Sequence, residues 1–189
     1  MNVRAFLGVE LDAATRSELV EVCRYIRHEV PAWRGAKWVS SVNLHLTLSF
    51  IGDIDSGSLD ALAAPLRSAI AECGPFSLPC ITLPDPVPSE RRARMLWARY
   101  ADPDSRCEEL VRAIDDVLGA FGIAGEEREF VPHVTLARAR RPAPFGSVDR
   151  SPASRMPNLS VAEVTLFSSM LTRSGPIYEQ LDHFRLGPR

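Results

Sequence analysis

Two of the four histidines sit in the same frame, His45-Leu46-Thr47-Leu48 and His133-Val134-Thr135-Leu136, each inside an apolar alternating run that reads as a strand. Strand side chains repeat every second residue, about 6.6–6.8 Å along the chain, so His45 shares a face with Thr47 and His133 with Thr135. Each imidazole therefore travels with a hydroxyl. A single strand histidine beside a threonine is ordinarily structural, and either frame alone would carry little. With six threonines in 189 residues, two such matches among four histidines have chance odds on the order of one in ten thousand. The pair predicts one site built from two matching halves.

An unperturbed imidazole titrates near about 6.5, so it holds or releases a proton around neutrality. Two across a cleft suit a displacement at phosphorus in which one takes a proton and the other gives one. The hydroxyls would hold the non-bridging phosphate oxygens in line and counter the charge that gathers on them. This arrangement needs no metal or other cofactor, and no ligand set flanks either frame. Cys23, Cys73, Cys80 and Cys107 lack CxxC spacing, so neither a zinc knuckle nor a redox pair is signalled, and reduced packing residues are expected.

The elements that must position these groups follow from periodicity. Val3–Glu10 reads as a strand, and Asp12 offers an N-cap to a helix with Leu19, Cys23, Ile26 and Val30 on one stripe, ended by Pro31. A short strand over Lys37–Val39 leads to Leu44–Ile51. There Leu44, Leu46, Leu48 and Phe50 are expected on one face and His45, Thr47 and Ser49 on the other. A turn over Gly52–Gly57 precedes a helix from about Ser58 to Cys73, in which Pro65 predicts a kink or a late start. Phe76–Leu83 and Met95–Tyr100 read as a strand pair joined by an arginine-rich link. Ser105-Arg106-Cys107-Glu108 has the form of a capping box before the stripe Leu110, Ile114, Val117, Leu118 and Phe121. The second frame lies on a strand over Phe130–Arg138. Residues 139–158, rich in proline and arginine, read as a mobile loop. Val161–Met170 and Ile177–Leu186 close the chain as strands around Ser174-Gly175-Pro176. The frames lie 88 residues apart in comparable settings, which suggests a weak internal duplication and a pseudo-twofold that brings their polar faces together.

A net charge of −2 argues against gripping long duplexes by bulk electrostatics, so local clusters matter more than the total. Of the 22 basic residues all but Lys37 are arginine. Arg91, Arg92, Arg94, Arg140 and Arg141 read equally as solvated surface or as contacts to a phosphodiester backbone. Phe50, Trp97 and Tyr178 can either stack on a terminal base or pack inside, and both readings stay open. His28 and His183 lack the frame and read as helix-surface and strand residues. No run approaches the roughly 18 apolar residues of a membrane span, and the start has too early a charge for a secretory signal, so a cytoplasmic protein is expected.

The residues around the doubled frame resemble the 2H phosphoesterases, specifically the bacterial and archaeal RNA 2′,3′-cyclic phosphodiesterases also known as 2′-5′ RNA ligases. The resemblance runs through Arg4-Ala5-Phe6-Leu7-Gly8-Val9, Trp38-Val39, Asn43 through Gly52, Leu96-Trp97-Ala98, Phe130 through Arg138, and Leu166-Phe167 through Tyr178. It implies one α+β domain over residues 1–189. Its two pseudo-symmetric β-α-β-type lobes would interleave in sequence, with antiparallel sheets flanking a central cleft. It further implies metal-independent opening of a terminal 2′,3′-cyclic phosphate to a 2′-phosphate, with His45 as proton donor and His133 as proton acceptor. Thr47, Thr135 and Arg138 would bind the phosphate. Strict alternation puts Arg138 opposite His133, so its role requires the strand to end or twist. Phe50, Arg94, Arg140 and Tyr178 are further substrate-binding candidates. The implied partner is RNA with a cyclic phosphate end, tRNA fragments included, bound by a monomer, with 2′-5′ ligation as the reverse reaction. Alternative readings are a phosphodiesterase for small cyclic nucleotides or ADP-ribose 1″,2″-cyclic phosphate, and a non-catalytic binder of RNA ends.

Overall fold

The computed structural model describes residues 2–126, 128–146, 155–172 and 175–188. Its elements run β1 (Asn2–Glu10), α1 (Ala13–Glu29), β2 (Lys37–Trp38), β3 (His45–Asp55), α2 (Ser56–Ala71), β4 (Phe76–Leu78), β5 (Cys80–Val87) and β6 (Ala93–Tyr100). They continue with α3 (Arg106–Ala120), β7 (His133–Ala143), β8 (Leu159–Val161), β9 (Glu163–Thr172) and β10 (Gly175–Arg185). The fold is α+β. An antiparallel sheet runs in the order β10-β9-β1-β3-β7-β6-β5, with β2 added on β7, and β4 pairs with β8 in a separate small sheet.

The two expected lobes are the two halves of the large sheet. Helix α1 connects β1 to its neighbour β3, and α3 connects β6 to its neighbour β7. The halves meet at one register pair, Leu46 opposite Val134. Beneath them lies a continuous core that includes Leu19 and Ile26 of α1, Leu62, Leu66 and Ile70 of α2, and Leu110, Ile114 and Leu118 of α3. Burial of these stripes fixes the helices; α2 also packs on α3 and against β3 and β10. Among the described residues no helix is long and apolar enough to cross a membrane.

Several local expectations are corrected. The turn expected after residue 51 is strand as far as Asp55, whose carboxylate then caps α2 by accepting from the Ser58 amide at 3.0 Å. Pro65 lies inside α2, so of the two alternatives it raised the late start does not occur. The capping box does not form. Ser105 is left-handed (φ 53°) and its side chain makes no cap bond, while the Asp102 carboxylate accepts from the Glu108 amide at 2.9 Å. Phe76–Leu78 separates from β5 to pair with β8, and only Cys80–Val87 pairs with β6.

The expected loop over 139–158 is ordered at its start, where residues 139–143 extend β7. Beyond the strand Phe145 is fully buried, edge-on to Trp33, and its amide donates to the Glu90 carbonyl at 2.8 Å. Part of that expected loop, Arg150 included, and Ser174 in the closing turn lie outside the described residues.

Candidate active site

His45 opens β3 and His133 opens β7, and the antiparallel step around Leu46 and Val134 sets His45 across from Thr135 and Thr47 across from His133. All four side chains line one cavity of about 800 Å³. In each half the ring is held the same way. His45 Nδ1 lies 2.8 Å from the Asn43 carbonyl and His133 Nδ1 lies 2.7 Å from the Val131 carbonyl, two residues upstream in both cases. A carbonyl can only accept, so Nδ1 carries the hydrogen and the Nε2 lone pair is left for other work. His45 Nε2 accepts from the Thr47 hydroxyl at 2.9 Å.

Burial pushes both imidazoles below their ordinary pKa, because a charged ring loses its hydration, and the carbonyl partners oppose this only in part. The electrostatic settings then differ. The remaining influence on His45 is the repulsive charge of His133. His133 faces the guanidiniums of Arg138 and Arg99, which disfavour its protonation, and Asp85, which favours it. Asp85 and Arg99 are themselves joined at 2.7 Å.

Beyond Thr47 the expected alternation inverts. Thr47 pairs with Gly8 and Ser49 with Leu7, so Leu48 is an extra residue and the strand beyond it is rotated by one place. Ser49, expected on the polar face, is buried and donates to Asp115 of α3 at 2.7 Å. Phe50, expected on the apolar face, is 62% exposed and lines the cleft. Strand β7 does the same. Thr135 pairs with Trp97 and Ala137 with Leu96, so Leu136 is extra and Arg138 turns onto the cleft face with the histidine. Its guanidinium reaches the Met95 sulfur at 3.2 Å, a weak acceptor that leaves the positive charge available to an anion.

Tyr178 lines the cleft edge-on to the His45 ring, at 5.3 Å and 90°. Arg94 and Arg140 are exposed and do not line this cavity, so the structure does not bring these two candidates to the histidines. Trp97, open to either base stacking or packing inside, packs: it lies on the His133 ring. Sequence reasoning passed over Asn43, which holds His45 by its carbonyl and the β10 end by an amide donated to the Pro176 carbonyl at 2.8 Å. The Asn-x-His spacing is the only trace it leaves. Lys37 and Arg4 also reach the cleft, giving it a basic rim with Arg138. Among the described residues, no group of three His, Cys, Asp or Glu side chains is gathered to hold a metal ion. The Cys23 and Cys107 thiols are pushed up to about 12 by burial, as expected of reduced packing residues.

Two imidazole nitrogens, two hydroxyls and a guanidinium on one concave face can clasp a phosphate and move protons on opposite sides of it. Comparison with known proteins identifies the family. A protein named RNA 2′,3′-cyclic phosphodiesterase from Methanothermobacter thermautotrophicus is 30% identical over 190 residues, covering 98% of this chain and all of the relative. The crystal structure of TT0787 of Thermus thermophilus is 32% identical and superposes with a TM-score of 0.72 over 98% of both chains. Apo LigT of E. coli, at 23% identity, shares the fold with a TM-score of 0.74 over 98% of both chains. The family model of the 2′-5′ RNA ligase superfamily matches residues 16–166, and this chain belongs to that 2H phosphoesterase family.

Proposed function

We propose that this protein opens the 2′,3′-cyclic phosphate at an RNA end, leaving a 2′-phosphomonoester, by acid/base catalysis between its two motif histidines. Water attacks phosphorus as the bond to the 3′-oxygen breaks. His133 Nε2 takes a proton from the water and His45 Nε2 gives one to the departing oxygen. The observation that carries this reading is the matched anchoring of both Nδ1 atoms on backbone carbonyls, which turns both Nε2 atoms to proton transfer in one cavity.

The assignment of roles follows the charges around each ring. Burial above all, aided by Arg138 and Arg99 and opposed by the Val131 carbonyl and Asp85, keeps His133 neutral, as a base must be before reaction, whereas the charge that acts on His45 is that of His133. A bound phosphate anion supplies the opposite charge that favours protonation of His45, and the Thr47 hydroxyl then turns from Nε2 to a phosphate oxygen. Thr135 and Arg138 complete the cradle, and none of these steps calls on a metal. Phe50 and Tyr178 offer aromatic surface to the terminal base, and the basic rim suits the adjoining phosphodiesters. With a 5′-hydroxyl in place of water the same groups run the reaction that makes a 2′-5′ bond. The names of the relatives support RNA as the substrate, which would place the protein with the RNA of the cytoplasm.

The test offers a short oligoribonucleotide with a 2′,3′-cyclic end beside 2′,3′-cyclic mononucleotides and locates the product phosphate. The expected product carries it on the 2′-oxygen, with kcat/KM higher for the oligomer. His45→Ala and His133→Ala should each lower the rate by about 10²–10⁴-fold in a folded protein. Full turnover in either variant, or a 3′-phosphate product, would overturn the mechanism. A clear preference for the mononucleotides would shift the substrate to small cyclic nucleotides.

A further inference from the structure

The two halves of the site match in their histidines, threonines and bulges, but differ in what lies beside each motif threonine. On the first half the residue paired with Thr47 is Gly8; on the second the residue paired with Thr135 is Trp97. The indole lies flat on the His133 ring, with centroids 3.8 Å apart and planes 24° apart. Among the described residues no such cover lies on His45. Its aromatic neighbours include Phe6, tilted at 4.9 Å, and Tyr178, edge-on. Gly8 is held to hydrogen because a Cβ there would come within 2.8 Å of the Leu46 carbonyl oxygen and 3.3 Å of His45 Cδ2.

We propose that Trp97 is a positioning residue for His133: its π face fixes the ring and stabilises the positive charge His133 acquires on taking the proton from water. The Gly8/Trp97 difference thereby helps set which histidine is base and which is acid. An indole presents the strongest π face to a cation among the aromatic side chains. Its Nε1–H is buried without an acceptor among the described residues, a desolvation cost that leucine or phenylalanine would avoid. What tryptophan adds at this position is its face. The other charged groups acting on His133 are Arg99 of β6, Asp85 of β5 and Arg138 of its own strand, with His45 across the cleft on β3. Arg99 and Asp85 are bound to each other and offset one another, so the indole face joins the Val131 carbonyl as a neutral group that favours the imidazolium.

The inference rests on His133 being the base, and the experiment separates the two. A protonated imidazole stacked on an indole quenches its emission, so the full-length protein should lose fluorescence on acidification, with its midpoint below the ordinary imidazole value of 6.5 because burial holds His133 down. The midpoint should coincide with the acid limb of kcat/KM for a 2′,3′-cyclic mononucleotide. Trp97→Phe and His133→Gln should each remove the titrating part, leaving steady emission from Trp33 and Trp38 in the first and from all three tryptophans in the second. Trp97→Leu keeps apolar cover but no π face. It should lower kcat/KM by about tenfold with KM unchanged and move the acid limb to lower pH, and Trp97→Phe should recover much of this.

Emission that does not titrate in the wild type, or a Trp97→Leu profile that superposes on the wild type, would overturn the proposal while leaving the base assignment standing. Full turnover in His133→Gln would bring down the assignment and this proposal together.

Discussion

Phe50 and Arg138 occupy the same place on the two halves of the fold, each five residues beyond its motif histidine and each turned onto the cleft by one extra residue, Leu48 or Leu136. A perfect strand would carry both to the far face. The paired bulges give the site one aromatic arm and one cationic arm from equivalent backbone, which suits a ligand with a base at one end and a phosphate at the other.

Arg138→Met keeps most of the length and removes the charge. The expected outcome is a fall in kcat/KM of about 10²-fold, as for loss of a charge-stabilising group in the transition state, with a weaker dependence of kcat/KM on salt. Initial rates at low and moderate ionic strength decide it. A rate that keeps both its size and its salt dependence would return Arg138 to the solvated surface.

Phe50→Ala should act on binding instead. Stacking of a base on an aromatic ring contributes about 1–3 kcal/mol, so KM should rise by about tenfold or more with kcat little changed. Because the ring is 62% exposed, thermal stability should stay within about 0.5 kcal/mol of the wild type. A large drop in melting temperature with unchanged KM would mean that Phe50 packs rather than binds.

The part of the site that was legible in sequence extends as far as regular backbone does. His45 with Thr47 and His133 with Thr135 obey a period of two because both pairs precede the bulges, and the apolar stripes of α1 and α3 are legible because burial imposes their spacing, except that Phe121 at the end of the α3 stripe is exposed. A bulge leaves no composition signal. Alternation alone therefore puts Ser49 and Phe50 on the wrong faces, and Arg138 has to rest on a resemblance. The Ser105–Glu108 box failed for a related reason: a nearby carboxylate, Asp102, reached the same amide first. Strand β4 could not be separated from β5 because its partner β8 lies some eighty residues away.

Gly8→Ala tests how tightly the first half is built around His45. The new methyl would meet a backbone oxygen at 2.8 Å, and backbone in a sheet centre cannot step aside as a side-chain tip does. Strand β1 must move from β3, at a cost of about 1–3 kcal/mol, and the His45 ring, 3.3 Å from that methyl, moves with it. Denaturant titration should show the loss of stability, and kcat should fall at least about tenfold with KM changed less. Wild-type kcat in a destabilised protein would show that His45 tolerates displacement.

The buried histidines also make stability depend on pH, with a sign that can be worked out. Both are held below the ordinary value of 6.5, so in the interval beneath 6.5 the unfolded chain binds protons that the folded one refuses. Their contribution is therefore undiminished above pH 6.5, and stability falls as pH drops below it toward the folded-state values. The slope is up to about 1.4 kcal/mol per pH unit for each ring. The capping carboxylates Asp12 and Asp55, held low by hydrogen bonds, add a loss only below 3.8, in a separate window. Denaturation at a series of pH values should show this slope in the wild type and a shallower one in His45→Gln and His133→Gln. An anion bound between the rings favours their charged forms, so inorganic phosphate should raise Tm more at about pH 6 than at about pH 8. Equal protection at both would mean that phosphate binds without engaging either imidazole.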